Sequence, residues 1–222
     1  MAKPSPANLR AFVRRNTSLR PVPDLEDIQL HSAGDVTAIW HLAGSELGLD
    51  DPPMPFWAFP WAGGLAVARY LAQHPDEVDG RRVIDLATGS GLCGIVAARL
   101  GAASVHSYDV DPLAGAAVAL NARANHVRLA FGLRDLLDEP PPDPESVDVI
   151  LAGDVCYEET MAGRMIEWLR AAAAGGVRVL LGDPGRIYLP SGLERVATYR
   201  IHTTRELEDA EIKEAAVYAM TG

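Results

Sequence analysis

The sequence predicts an α/β fold: a doubly wound, seven-stranded sheet, mostly parallel with an antiparallel C-terminal strand, behind a small N-terminal extension. Three observations predict it. From about residue 80, short β-branched apolar runs alternate with longer helical stretches, the pattern of parallel strands joined by crossover helices. After Pro190 the pattern becomes two strand-like runs, 195–203 and 212–220, joined by an acidic helical piece, which suggests an antiparallel addition. The first 55 residues are rich in proline and end in Asp51-Pro52-Pro53-Met54-Pro55, a separate N-terminal layer ahead of a main domain spanning 56–222.

In chain order, Ser5-Pro6 reads as an N-cap followed by proline at the first helical position, and Leu9, Phe12 and Val13 form one apolar face of a short helix. Residues 1–23 carry five cations and no acid, so an organelle presequence is the alternative reading of this segment. The run Phe56-Trp57-Ala58-Phe59-Pro60-Trp61 needs burial, either by packing on the sheet or by lining a ligand cleft. Gly63-Gly64 opens a helix over 65–73. Core strands are expected at 82–86, 104–108, 128–131, 147–151 and 177–181. Helices are expected at 91–100, 112–125 and 158–173, the last with Met161, Met165, Trp168 and Leu169 on one face. Pro140-Pro141-Pro142 marks a surface loop.

Composition narrows the function classes. The chain has 222 residues, 48% of them hydrophobic and 23% charged, so it has apolar surface to bury and is not a disordered or fibrous sequence. A formal charge of −10 argues against nucleic acid or anionic lipid as partner. Cys93 and Cys156 stand far apart with nothing ahead of them that reads as a signal peptide, so a reducing, cytoplasmic location is expected rather than a disulfide framework. The six histidines show no metal-ligand spacing, so no metal is expected. No apolar run is long enough for a membrane span, and a monomer is expected. Arginine outnumbers lysine 18 to 2, a compositional bias that does not point to function.

The chemistry begins at Asp85-Leu86-Ala87-Thr88-Gly89-Ser90-Gly91-Leu92-Cys93-Gly94, the first strand-to-helix turn. Glycines there let backbone approach a ligand, and free helix N–H groups face it. Gly89, Gly91 and Gly94 also spell the dinucleotide-binding G-x-G-x-x-G, and Asp109, at the end of the second strand, suits either reading. Asp85 separates them: a carboxylate at the strand end repels a pyrophosphate and suits a cationic amino-acid ligand such as S-adenosylmethionine. The segment resembles motif I of class I, Rossmann-like S-adenosylmethionine-dependent methyltransferases, with Ala87 where the first glycine normally stands. The resemblance implies close approach of the methionine moiety at Gly89 and Gly91, with the ribose hydroxyls on Asp109. It implies a polar contact to the adenine from Asp135, for which a solvated loop acid is the alternative.

The fourth strand ends in Gly153-Asp154-Val155-Cys156-Tyr157 at the carboxyl edge, where ligands bind in such sheets. Asp-x-x-Tyr resembles the signature of the seven-strand protein-lysine methyltransferases sometimes called family 16. Pro55 to Gly64, Asp109-Val110-Asp111-Pro112, Gly153 to Glu159 and Gly182-Asp183-Pro184-Gly185-Arg186 together are similar to the electron transfer flavoprotein β-subunit lysine methyltransferase family. Asn16-Thr17 to His31 also fits, so the resemblance spans nearly the whole chain, loosening after Arg186. It implies Trp57, Asp85 and Gly153 at the cofactor, Asp154 and Tyr157 at the methyl acceptor, and the flavoprotein β subunit as substrate. A small-molecule, nicotinamide-like N-methyltransferase, methylation of a ribosomal protein, and a non-enzymatic NAD-binding module are the other readings.

Lysine must lose its proton before it attacks a methyl group, although it ordinarily titrates near 10.4. A positive charge about 4 Å away contributes roughly 4 kcal/mol at an effective dielectric near 20 and lowers that pKa by about three units. Asp154 acts in the opposite direction, so its expected role is to attract and orient the ammonium, with Tyr157 as a wall, rather than to act as a general base. The alternative has Asp154 capping the following helix and Tyr157 in the core. Arg186 is expected to meet an acidic partner surface or to brace Asp183, and Cys156 to be a packing residue.

Overall fold

A computed structural model describes residues 4–220. The N-terminal layer comprises α1 (Pro6–Asn16), β1 (Ser18–Val22), β2 (Leu25–Ser32) and α2 (Val36–Leu47). The main domain runs through α3 (Ala62–Gln73), β3 (Arg82–Leu86), α4 (Leu92–Arg99), β4 (Ser104–Asp109), α5 (Pro112–Ala124), β5 (Ala130–Leu133), β6 (Val149–Gly153), α6 (Glu159–Ala174) and β7 (Arg178–Asp183). It ends in β8 (Glu194–His202), α7 (Arg205–Glu208) and β9 (Ile212–Met220). The seven-stranded sheet has the order β5-β4-β3-β6-β7-β9-β8. β3 to β7 pair in parallel, and β9 lies antiparallel between β7 and β8. The order reverses between β3 and β6, which places a crevice outside the carboxyl ends of those strands.

Strand alternation sorts the core into two layers. Val83, Val105, Leu151 and Leu180 pack with α3 and α4 on one face. Ile84, Ile150, Val179 and Leu181 pack with Met165, Ile166 and Leu169 of α6 on the other. A third cluster joins Phe12, Val13, Ile39 and Trp57 to Leu113, Ala117 and Leu120 of α5, so the N-terminal layer is anchored on the main sheet's helix. Among the described residues, no helix is long and apolar enough to cross a membrane.

Two core strands start two residues later than their sequence suggests. β5 begins at Ala130 rather than 128, and β6 at Val149 rather than 147. Before β6, Asp148 spends its carboxylate on Arg82, accepting from the Arg82 backbone N–H at 2.7 Å and from Nε at 2.9 Å, so the apolar run opens on a polar anchor. The hairpin β1–β2 and helix α2 have no counterpart in the sequence reading. The free edge of β2 is paired by side chains of α5 and its C-cap: Asn121 Oδ1 accepts from His31 N at 2.7 Å and Asn125 Oδ1 from Gln29 N at 2.9 Å.

Candidate active site

The glycine turn between β3 and α4 is held from both sides. Asp85, 2% exposed, lies beneath it and accepts from the Thr88 hydroxyl and, at 3.0 Å, from Gly94 N. Gly89 (φ +52°) and Gly91 (φ +83°) supply the left-handed backbone that the turn requires. Ala87 shares that region at φ +51°, which explains why glycine suits its position better. Asp109, at the end of β4, accepts from Gly89 N at 2.9 Å and from Asp111 N at 2.9 Å, clasping the turn across the crevice. Asn121 Nδ2 donates to Ser90 O at 2.8 Å, linking the same turn through α5 to the N-terminal hairpin.

Burial pushes Asp85 and Asp111 up to about 7, and Asp109 is raised for the same reason. A bound cation would draw these buried carboxyls back to the charged form whereas a phosphate would not, so the residues present fit the cationic, phosphate-free S-adenosylmethionine better than a pyrophosphate cofactor. A folding consequence follows. Between pH about 4 and 7 the folded chain holds protons on these carboxyls that the unfolded chain has released, so stability falls as pH rises across that window. The urea midpoint of ligand-free protein is therefore expected to be lower at pH about 7.5 than at about 5; a rise would contradict the assignment.

The second half of the rim is built where α3 meets the ends of β6 and β7. A Cβ at Gly153 would lie 2.7 Å from Gly64 Cα, and one at Gly63 would lie 2.3 Å from Gly182 O, so only glycine lets the helix approach so closely. Gly153 thus serves helix packing directly, whatever it offers a ligand. Asp154 follows in left-handed backbone (φ +59°), its side chain 11% exposed. Its Oδ2 accepts from Gly64 N at 2.8 Å, capping α3, and its Oδ1 accepts from Arg186 at 2.8 Å. The same guanidinium nitrogen reaches Glu208 Oε1 at 3.1 Å, and Glu208 accepts from Ala62 N at 3.2 Å. Burial pushes Asp154 up to about 6 against the pull of Arg186.

The placing of Trp57 differs from expectation, the alternative readings of Asp154 and Tyr157 do not hold as stated, and Cys156 packs as expected. Asp154 caps α3, not the following helix, whose cap is Glu158 through Thr160 N and Met161 N. Arg186 braces Asp154 and Glu208 with its side chain, while Asp183 Oδ1 accepts the backbone N–H of Gly185 and Arg186. Trp57 is 1% exposed and packs edge-on to Phe12 in the N-terminal core, so the side chain does not line the crevice. Its neighbours do that instead: Phe56 packs on Tyr157 with centroids 4.9 Å apart, Trp61 Nε1 donates to Phe56 O, and that carbonyl lies 3.6 Å from where a Gly89 Cβ would stand. Tyr157 is 44% exposed rather than in the core. Asp135 is engaged locally, accepting from Leu137 N at 3.0 Å and pairing with Arg164 at 3.3 Å. Cys156 is fully buried, its thiol pushed up to about 12 by burial and by Asp183 and Asp154.

Fold and rim together define a class I S-adenosylmethionine-dependent methyltransferase. Residues 70–155 match the family model of ribosomal protein L11 methyltransferase (PrmA). The electron transfer flavoprotein beta subunit lysine methyltransferase of Rattus norvegicus is 34% identical over 80% of this chain and 69% of its own length, and that of Xenopus laevis 30% over 95% and 86%. The chain belongs to the electron transfer flavoprotein β-subunit lysine methyltransferase family. The fold is shared with magnesium protoporphyrin IX methyltransferase from Synechocystis, at TM-score 0.51 and 18% identity over 71% of this chain and 78% of that one.

Proposed function

We propose that this chain methylates lysine of the electron transfer flavoprotein β subunit, with the cofactor along the glycine turn and the acceptor beside Asp154 and Tyr157. What supports the substrate is similarity that runs, in the Xenopus relative, over 95% of the chain. The family model of ribosomal protein L11 methyltransferase covers residues 70–155, which hold the glycine turn, Asp109 and Asp154 but not Tyr157, Arg186 or Glu208, so it speaks mainly for the cofactor half of the rim. In this reading Gly89 and Gly91 keep backbone close to the ligand, and Asp109 accepts from the ribose hydroxyls. Asp85 supplies negative charge from beneath, Phe56 and Tyr157 wall the crevice, and Asp135 closes the adenine end once Arg164 moves aside. Residues 1–55 act as an extension that steadies the turn through Asn121.

S-adenosylmethionine supplies the electrophilic methyl group when bound. Asp154 orients the incoming ammonium, and Arg186 offsets part of its charge, so the carboxylate aligns lysine without strongly holding the proton on it. Water takes that proton. Asp109→Ala is expected to weaken binding of S-adenosylhomocysteine by about 1.5 to 3 kcal/mol, the range for charge-assisted hydrogen bonds; unchanged calorimetric affinity would remove the ribose assignment. The substrate is tested by offering radiolabelled S-adenosylmethionine with recombinant flavoprotein β subunit, a ribosomal-protein mixture and nicotinamide at low and high ionic strength. Label in the flavoprotein that declines with salt is expected. Salt-insensitive labelling of nicotinamide alone would reject protein methylation, and labelling only of ribosomal protein would replace the named partner.

A further inference from the structure

A surface groove of about 400 Å³ runs between α6 and the β7–β8 loop, with Glu159, Gly163, Glu167 and Arg170 along the helix, Ile166 beneath and Tyr188 on the loop. Both walls are close in sequence to the proposed acceptor residues. α6 begins two residues after Tyr157, and Tyr188 lies two residues beyond Arg186. Glu159 and Glu167 sit eight residues apart on one helix face, about 12 Å along the axis, with side-chain-free Gly163 between them. Neither carboxylate is ion-paired among the described residues, and Arg170 is the single cation lining the groove. The loop adds apolar contact: Ile187 is 86% exposed and Tyr188 39%.

We propose that this groove is the docking surface for the substrate protein, taking a basic segment beside the target lysine, with its cations on Glu159 and Glu167 and its apolar side chains on Ile166 and Tyr188. This rests on the reading of Asp154 and Tyr157 as the acceptor end, because the groove guides chain toward them. An open groove along a helix, with an apolar floor and an exposed apolar loop beside it, suits a polypeptide over a small molecule, and the two unpaired carboxylates select a basic one.

The test compares wild type with Glu159→Gln/Glu167→Gln, Tyr188→Ala and Arg170→Gln on recombinant flavoprotein β subunit at low salt. The double variant is expected to raise KM about tenfold with kcat and S-adenosylhomocysteine affinity within about twofold, and to flatten the salt dependence. Tyr188→Ala raises KM with the salt dependence kept, and Arg170→Gln lowers KM, an opposite sign that general loss of structure would not produce. Unchanged KM in the double variant, or a fall in kcat without a rise in KM, would overturn the proposal. If wild type labels a different protein from a cell extract, the named substrate fails and the same comparison on that protein decides the groove; label entering no protein overturns both.

Discussion

Replacing Asp154 with Ala is expected to lower methylation of a protein acceptor by roughly 10²-fold or more, while affinity for S-adenosylhomocysteine stays within a few-fold. The carboxylate stands on the acceptor half of the rim, among Arg186, Glu208 and the start of α3, whereas the glycine turn is clasped by Asp85 and Asp109. Its removal also strips a cap from α3 and leaves Arg186 with Glu208 alone, which costs about 1 to 3 kcal/mol of stability. Asp154→Asn separates the two effects. Asparagine tolerates left-handed backbone and can accept from Gly64 N, so the fold is kept while the charge is lost. It should fold nearly as well as the parent and methylate as poorly as the alanine variant. An active Asn variant would remove the requirement for charge, and loss of cofactor binding in either would move Asp154 to the cofactor side.

Gly182→Val is expected to cost about 4 kcal/mol or more, at the extreme end for a single substitution, and to abolish activity with it. A Cβ on Gly182 would stand 2.0 Å from Gly63 O and 2.8 Å from Gly63 C, both backbone atoms that cannot turn aside. α3 would have to lift off β7, breaking the contacts from Ala62 and Gly64 that fix Glu208 and Asp154. Gly163→Ala supplies the contrast. Nothing lies within 4 Å of a Cβ there, so the change should stabilise α6 by about 1 kcal/mol. Urea unfolding of both variants checks the pair; equal effects would mean that the close approach of α3 is not what the glycines serve.

The sheet was legible in the sequence because its strands carry local apolar patterns: β3 and β9 have the expected bounds, and the core helices differ by a residue or so at most ends. The N-terminal hairpin was not legible. β1 is largely exposed, and the N–H groups of Gln29 and His31 in β2 are paired by Asn125 and Asn121, ninety or more positions away, which no local periodicity encodes. The aromatic run was legible as a cluster needing burial but not by side. The short 3-10 turn Phe56–Ala58 sends Trp57 inward and leaves Phe56 against Tyr157, a choice that spacing cannot make. The carboxyl-edge acids were found by position at strand ends. The partnership of Arg186 with Asp154 and Glu208 was missed, because Glu208 comes from the β8–β9 connection, whose return to the rim depends on how the antiparallel strand inserts beside β7.

Lysine methylation that depends on the charge of Asp154 is tested most directly by peptide-level mass spectrometry of recombinant flavoprotein β subunit after incubation with S-adenosylmethionine and either the wild-type chain or Asp154→Asn. Methyl groups are expected on lysine side chains with wild type and almost none with the variant, the two proteins binding S-adenosylhomocysteine alike. Methylation on a residue other than lysine, or equal lysine methylation by both proteins, would contradict it.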